Sequence, residues 1–549
     1  MIQSMVPKFE QKPLVFGIPD PDINERSVNY ADRIGQWYSA LVSLDHRKQF
    51  GQYFTPVEIA DFMASLLSPR KGIIRIVDPG AGTGILSCAV CEWLVSQKEK
   101  PSQLILDVCE TDRDILAFLQ KSLRYLAERI AKKGVNFAFT INDEDFILKY
   151  AYKLKNLPTL FDASGKESGF DICISNPPYF KLPLSDKRAQ AAKSVVHGQP
   201  NIYALFMAVS ASLLSKNGEL VFITPRSFAS GQYFRLFRER FFEIIKPEHI
   251  HIFDSRKNAF ERYGVLQENI ILKARRDNNW QSNHTGQMVT ISTSIGIKDI
   301  KYSGAKKLPI STVLDIKSNE KILKTLTTAL EQEVFEKISS WSGSLNKYGF
   351  EISTGPVVAF RATQFISEKK SKSGEYAPLL WLQNVRPLQV IWPVAVRHKP
   401  QYIKISDESK YLLVPNKNYV LLRRFSAKEE NRRLIAAPSN GKKFPSEWIG
   451  LENHLNYVYK PRGDMSEEEL WGLTVLYNSS LFDVYFRSLN GSTQVGASDI
   501  RNIPLPSLDI IIEIGKRASA CPNINENIDS LTQLVFENEP AFVRNLVYV

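Results

Sequence analysis

Asn176-Pro177-Pro178-Tyr179 is a stretch whose residue types and order could do chemistry. Two prolines after a strand end its ladder and stiffen the turn. Asn176 offers a carboxamide oxygen, and the prolyl residues offer carbonyls with no N–H of their own. Tyr179 adds a flat face. Acceptors beside an aromatic plate suit a planar group bearing an exocyclic amine, such as adenine. The apolar run at 170–175 directly before this turn reads as the buried strand that carries it.

A second constellation lies upstream. Asp78-Pro79-Gly80-Ala81-Gly82-Thr83-Gly84 follows an apolar run at 73–77 and precedes a helical pattern with Ile85, Leu86, Ala89, Val90, Trp93 and Leu94. Glycines there permit a tight turn and close approach of a ligand, and a helix N-terminus favours an anionic group. Glu110, with Asp112 just beyond, follows the next strand, where an acid can take two ribose hydroxyls. Asp145-Phe146, after the third strand, could grip and stack an adenine ring. Gly51-Gln52-Tyr53-Phe54-Thr55-Pro56 reads as a turn with Thr55 capping a helix, Pro56 at its first position, and an exposed Tyr-Phe pair.

The elements that must position these groups alternate strand and helix. Strands are expected at 73–77, 104–108, 137–141, 170–175 and 219–224, with 251–253 and 269–273 as the last ones. That pattern implies a mostly parallel, doubly wound sheet. A helix is expected from about Glu25 to Phe50, with Ile34, Trp37, Tyr38, Leu41 and Leu44 on one stripe. Residues 274–314 read as a linker or an excursion. Beyond them come irregular β-like runs (357–360, 388–396, 419–422) and one good helix from about Ser466 to Arg487.

The bulk properties narrow the classes. The chain has 549 residues and five cysteines, so several domain-sized units and a reduced, cytoplasmic protein are expected. No apolar run is long enough for a membrane span. The formal net charge is +12, and residues 355–443 hold 17 Lys/Arg against 6 Asp/Glu. Such a local excess is the footprint expected for a polyanion. Cys88 and Cys91 fall on an apolar helix with no second ligand pair, so packing is expected rather than zinc. The seven histidines show no metal spacing, and Asp20-Pro21-Asp22 has no nuclease partners nearby.

Taken in order, these motifs resemble the gamma-class DNA adenine-N6 methyltransferases, the BsuBI/PstI-type branch above all. The specific resemblance runs from about Phe50 to Lys273. Weaker family-like phrases follow at 353–358, 450–454, 490–494 and 503–506. The resemblance implies an α/β fold: a Rossmann-like class I methyltransferase sheet followed by a mixed, β-rich target recognition domain. The expected divisions are an arm and helix (1–45), a catalytic domain (46–310) and a recognition domain (311–549). It implies S-adenosylmethionine as cofactor, contacted by Tyr53, Thr55, Pro56, Asp78, Gly80, Ala81, Gly82, Glu110, Asp112, Asp145, Phe146, Asn176 and Pro178.

By the same resemblance, the Asn176 carboxamide oxygen and the Pro177 carbonyl would hold the amine of a flipped adenine, with Pro178 completing the catalytic tetrapeptide. Tyr179 would stack on one face of the base, and Phe260, with Tyr263 as the alternative, would close the other. Arg226, Arg361, Arg423, Arg424, Asn453, His454, Ser492 and Gln494 are the candidate contacts to double-stranded DNA. The asparagine favours adenine over cytosine N4, whose enzymes usually carry serine there. RNA and protein-glutamine methyltransferases share the tetrapeptide. They do not require the large basic C-terminal half. A separate restriction endonuclease is the expected functional partner, and a monomer or weak dimer the expected state.

Overall fold

The computed structural model describes residues 17–156, 169–253, 269–302, 304–325, 329–368, 375–426, 430–489 and 494–536. The chain divides into two compact units, Met1–Thr325 and Leu326–Val549.

In the first unit the chain runs through α1 (Ser27–Leu41), α2 (Leu44–Phe50), α3 (Val57–Ser65), β1 (Gly72–Pro79), α4 (Ile85–Ser96) and β2 (Pro101–Cys109). It continues with α5 (Leu116–Ala131), β3 (Asn136–Asn142), α6 (Phe146–Tyr150), β4 (Phe170–Ser175), α7 (Lys187–Ala191), α8 (Ile202–Leu213) and β5 (Leu214–Pro225). It ends with α9 (Arg235–Ile244), β6 (Ile245–Phe253), β7 (Asn269–Arg276), β8 (Met288–Ser294) and β9 (Ala305–Pro309). The strands form one sheet in the order β3-β2-β1-β4-β5-β7-β6-β8-β9. β1 to β5 are parallel. β7 runs antiparallel to both its neighbours. This is the Rossmann-like sheet that the motif order implies.

Apolar runs form the central strands β1, β4, β5 and β7 because both sheet faces are covered there. Ile172 and Ile174 of β4 join one core with α1, α3, α4 and α5, while Cys173 joins the other with α8 and α9. Helix α4 is apolar nearly all round and correspondingly buried, Cys88 and Cys91 included. Burial raises both thiols, as expected of packing cysteines.

Several expectations need correction. The N-terminal helix is two helices, α1 and α2. Ile34 and Tyr38 are buried, but Leu41 and Leu44 are 44% and 64% exposed, so the apolar stripe ends where α1 ends. The stretch 274–314 is no linker. It completes β7 and supplies β8, parallel to β6, and β9, antiparallel to β8. Trp280 between them is fully buried and donates its indole N–H to the Phe242 carbonyl at 2.8 Å. The polar residues at 277–279 mark a turn inside the sheet, not its end.

The lower sheet holds a charge cluster. Glu219 of β5 is fully buried and accepts from Lys273 Nζ (2.9 Å) and Arg275 Nη2 (2.7 Å). Burial alone would raise the Glu248 carboxyl. Hydrogen bonds from Arg275 and Lys273 outweigh it and hold the group down at about 2. A folded-state value below the unfolded one stabilises the fold above roughly pH 4.5, and that contribution is lost as the pH falls toward about 2. Denaturant midpoints should therefore drop through this window, and Glu248→Gln should flatten the drop. An equal drop in the variant would remove Glu248 as its cause.

The second unit holds a four-stranded antiparallel sheet of Glu351–Thr354, Leu455–Tyr459, Tyr419–Arg423 and Ala436–Ser439. A five-stranded mixed sheet of short strands accompanies it. The expected helix at 466–487 is two helices, Glu467–Asn478 and Ser480–Leu489. Ser466 starts the first with a capping box, its Oγ accepting from Glu469 N and Glu469 Oε2 accepting from Ser466 N. Ser479, in extended conformation, breaks the run. Of the expected β-like runs, 419–422 is a strand. The run at 357–360 enters a 3-10 turn, and 388–396 keeps only Gln389–Val390.

Candidate active site

The carboxyl ends of β1, β2, β3 and β4 open on a cleft that encloses about 840 Å³, part of it open to solvent. Sequence reasoning placed Tyr53, Thr55, Gly80, Ala81, Gly82, Glu110, Asp145, Phe146, Asn176 and Pro178 here, and all of them line it. Ile202 and Phe206 join them from the start of α8. Pro56, Asp78 and Asp112 do not reach the wall. Phe260 and Tyr263 lie outside the described residues.

The glycine loop works differently from expectation. Gly80 N and Ala81 N donate to the Cys109 carbonyl (2.9 and 3.0 Å), and Gly82 N donates to Glu110 Oε2 (2.9 Å). These amides are spent inside the protein, so this part of the loop is a close-fitting wall and not an anion cradle. Gly82 has φ +56, and a Cβ there would meet the Phe54 ring at 3.0 Å, so only glycine fits. Asp78 sits beneath the loop, fully buried, accepting from Ser87 Oγ at 2.6 Å. Burial pushes its carboxyl up to about 7.

Glu110 is also raised by burial, against hydrogen bonds from the amides of Asp112 and Gly82. Its carboxylate is thereby fixed at the cleft wall. Asp112 faces away from the cleft. Its Oδ2 receives Tyr38 Oη (2.5 Å), Gln52 Nε2 (2.5 Å) and His46 Nε2 (2.9 Å). His46, Asp112 and Asp114 approach within 4.8 Å of one another, a grouping that the histidine spacing did not announce. The three donors already on Asp112 make it a hydrogen-bond hub. Asp145 caps α6, its Oδ1 accepting from Leu148 N at 3.0 Å. Its Oδ2 lies 3.8 Å from Arg188 Nη1, a cleft residue with no sequence signal. Phe146 is buried against Phe206, ring centroids 5.3 Å apart.

Asn176 directly follows β4, with its carboxamide clamped. Nδ2 donates to the Tyr53 carbonyl (2.8 Å) and to Thr55 Oγ1 (3.1 Å). Thr55 therefore does not cap α3. Pro56 stands at that N-cap, without a side-chain hydrogen bond. Phe54 is buried rather than exposed. Gly51 has φ +65, and a Cβ there would meet Pro178 at 2.6 Å, so glycine is required for the 51–55 segment to lie on the tetrapeptide. Tyr179 Oη donates to Asn176 Oδ1 (2.5 Å) and lies 3.1 Å from the Ile223 carbonyl, a second acceptor for its single proton. Its ring lies edge-on to Tyr203 at 6.2 Å. Burial holds its phenol well above the usual range, so the hydroxyl stays a donor. The prolyl turn leaves one lone pair of Asn176 Oδ1 for a further donor. Arg226 follows β5, half-buried at the same sheet edge.

In the second unit the candidate contacts separate into surface and support. Arg424 N donates to the His454 carbonyl, and Arg424 Nη1 to the Asn453 carbonyl (3.0 Å). The Gln494 carboxamide oxygen accepts from Arg424 Nε and Nη2 (3.0 and 2.6 Å). Phe425, 38% exposed, lies against His454. Arg424, Asn453, His454 and Gln494 thus form one patch. Arg361 is exposed and stacks on Phe360, itself 74% exposed. Ser492 lies outside the described residues. Arg423 is half-buried, its Nε on the Val385 carbonyl (2.7 Å) and Nη1 near Glu430 (3.9 Å). Arg433 is fully buried and bonds Ser426. Part of the basic excess is therefore internal scaffolding.

No helix among the described residues is long and apolar enough to cross a membrane. Residues 57–260 match the Eco57I restriction-modification methylase family. The chain is 32% identical to the type II methyltransferase M.BsuBI of Bacillus subtilis, over 90% of this chain and 94% of that one. It is 30% identical to the type II methyltransferase M.PstI of Providencia stuartii, over 86% and 90%. A solved nuclease-deletion mutant of the type ISP restriction-modification enzyme LlaGI, in complex with a DNA substrate mimic, shares the fold. There the TM-score is 0.50 at 13% identity, covering 90% of this chain and 56% of that one. A Rossmann-like methyltransferase sheet, a clamped Asn-Pro-Pro-Tyr turn at its carboxyl edge and similarity along nearly the whole chain agree: the protein belongs to the type II restriction-modification methyltransferases, with M.BsuBI and M.PstI as its relatives.

Proposed function

We propose that this methyltransferase transfers a methyl group from S-adenosylmethionine to N6 of an adenine flipped out of duplex DNA. The carrying observation is the Asn176 carboxamide, whose nitrogen is consumed by Tyr53 and Thr55. Its oxygen is thereby fixed as an acceptor beside the cleft. The residues of the cleft fit the cofactor's chemistry. Glu110 presents a carboxylate for ribose hydroxyls, Asp145 an acceptor and Phe146 and Phe206 apolar faces for the adenine end, and Gly80–Gly82 a wall that allows close approach. The cofactor supplies an electrophilic methyl on a cationic sulfonium.

Asn176 Oδ1 and the Pro177 carbonyl would accept hydrogen bonds from the two N6–H groups and hold the amine lone pair toward the methyl. Alignment is the main task. No strong base is needed, because the amine turns acidic only as the new bond forms. Flipping the base costs a few kcal/mol, and an aromatic face returns roughly 1–3 kcal/mol. For Tyr179 to supply that face, its hydroxyl must move off Asn176. The role would be protection of host DNA, in partnership with a separate restriction endonuclease. The test is transfer of labelled methyl to plasmid DNA, followed by nucleoside analysis. N6-methyladenine is expected. Label in N4-methylcytosine, RNA or protein would overturn the assignment.

The patch around Arg424 is the proposed DNA face of the second unit. Arg424→Ala should weaken binding and lower the slope of log affinity against log salt by about one. Arg423→Ala should instead lower the melting temperature and leave that slope nearly unchanged, because its charge already faces Glu430 at 3.9 Å, whereas Arg424 meets the neutral Asn453 carbonyl and Gln494 carboxamide. Anisotropy titrations across a salt series check both. The reverse pattern would exchange their roles.

A further inference from the structure

Three strands of the second unit's antiparallel sheet run out at one end. Thr354 and Leu422 both pair with Asn456, and Arg423 pairs with Leu455. The chain beyond Thr354, beyond Arg423 and ahead of Leu455 therefore leaves the sheet on the same side. There the segments stay joined. Asn453 N donates to the Val357 carbonyl (2.9 Å), Arg424 N to the His454 carbonyl (2.9 Å) and Val495 N to the Arg424 carbonyl (2.7 Å). Gly355 lies so close to its neighbour that a Cβ there would meet the Glu452 carbonyl oxygen at 2.4 Å.

Phe360 and Arg361 form the tip of the first of these segments. The tip is a 3-10 turn, Ala359–Arg361, in which Arg361 N donates to the Val358 carbonyl (2.9 Å). Val357 before it and Ala362 after it are fully buried in one apolar cluster with Leu379, Trp381 and Ile403. The Phe360 ring between these anchors is nonetheless 74% exposed, and no large hydrophobic side chain among the described residues of the second unit is more so. Because its base is pinned on both sides, the ring is presented in advance, and little ordering is left for a binding event. The Arg361 guanidinium stands 5.3 Å from the ring centre.

The surroundings say what such a ring meets. Arg361, Arg424, Phe425 and His454 set cations beside aromatic rings at this end of the sheet. Residues 355–443 hold 17 Lys/Arg against 6 Asp/Glu, which favours a polyanion. A polyanion that also has apolar faces is a nucleic acid. One projecting ring is far short of the roughly 800 Å² per partner that a stable protein interface buries. It does match a single opened base step, where apolar side chains act as wedges.

We infer that the Phe360 ring inserts into the base stack of bound duplex DNA, with Arg361 on a phosphate beside the opened step. This rests on the DNA reading of the second unit and adds an apolar wedge to it.

Anisotropy titrations with a labelled duplex cut from DNA that the protein methylates test it. Phe360→Ala should bind about tenfold more weakly, the loss of one stacking contact. The slope of log affinity against log salt should not change, because a neutral ring releases no counterions. Arg361→Ala should lower that slope by about one. Phe360→Trp keeps a stacking face and should bind like the wild type. Its added indole emission, taken as the difference from the wild type, should be quenched by saturating duplex and shielded from acrylamide. Wild-type affinity in Phe360→Ala overturns the insertion, and lost self-association of that variant in sedimentation would then assign the ring to a protein contact. Weaker binding by Phe360→Ala without quenching in Phe360→Trp overturns it too, since the ring then acts without touching bases. A wild-type chain that binds no duplex overturns the DNA reading itself, and the insertion with it. If Arg424→Ala leaves the salt slope unchanged while both Phe360 variants behave as expected, the insertion stands and the role given to Arg424 falls.

Discussion

Asn176→Ala is expected to slow methyl transfer by about a hundredfold to a thousandfold in single turnover, because misplacing a reacting group by an ångström alone costs about a hundredfold. Cofactor affinity should change far less. The substitution removes the acceptor for the amine. It also frees the Tyr53 carbonyl, Thr55 Oγ1 and the Tyr179 hydroxyl, which all end on this one carboxamide. Asn176→Asp separates the two effects. It keeps an acceptor but turns a second oxygen toward the Tyr53 carbonyl, so the clamp is lost and the rate should still fall well below the wild type. Single-turnover rates beside cofactor titrations make the distinction. Near-normal turnover of Asn176→Ala would sink the role assigned to the tetrapeptide.

Glu110→Ala is expected to weaken cofactor binding by roughly thirtyfold to a hundredfold and to lower thermal stability as well. Two buried amides, Gly82 N and Asp112 N, end on its carboxylate. Leaving each unsatisfied costs about 1–3 kcal/mol. The ligand side loses charge-assisted hydrogen bonds of about 1.5–3 kcal/mol. Glu110→Gln is not a gentle version, since its NH2 must face one of those amides. Burial raises the Glu110 carboxyl, so it takes up a proton at higher pH than an ordinary glutamate. Affinity should therefore weaken early as the pH falls, a dependence lost in the alanine variant. Unchanged affinity in Glu110→Ala would remove this carboxylate from the cofactor site.

The strands bearing the motifs were legible because each is an apolar run bounded by glycine, proline or polar residues. β4 coincides with its expected bounds, and β1, β2, β3 and β5 extend theirs by a few residues. β8 and β9 were missed because polar turns at 277–279 and 282–286 look like a domain edge when nothing shows Trp280 buried between them. Within the site, the types of Glu110, Asp145 and Asn176 announced their place at the cleft. Arg188 did not: an arginine in a polar stretch has no chemical label until its guanidinium is found 3.8 Å from Asp145 at the cleft wall.

The sequence by itself determined the order of the motifs, the strands that end in them and the class of chemistry, because side-chain functional groups and apolar periodicity are local properties. Tertiary structure decided which groups meet and which are already spent. Thr55 serves Asn176, 121 residues away, instead of capping its own helix. Asp112 turns from the cleft toward Tyr38, His46 and Gln52. Arg423 and Arg433 support the second unit from within, while Arg424 remains in a half-buried surface patch. The physical reason is common to all three. A polar group's role depends on which partner saturates it, and those partners arrive from distant parts of the chain only when the core closes.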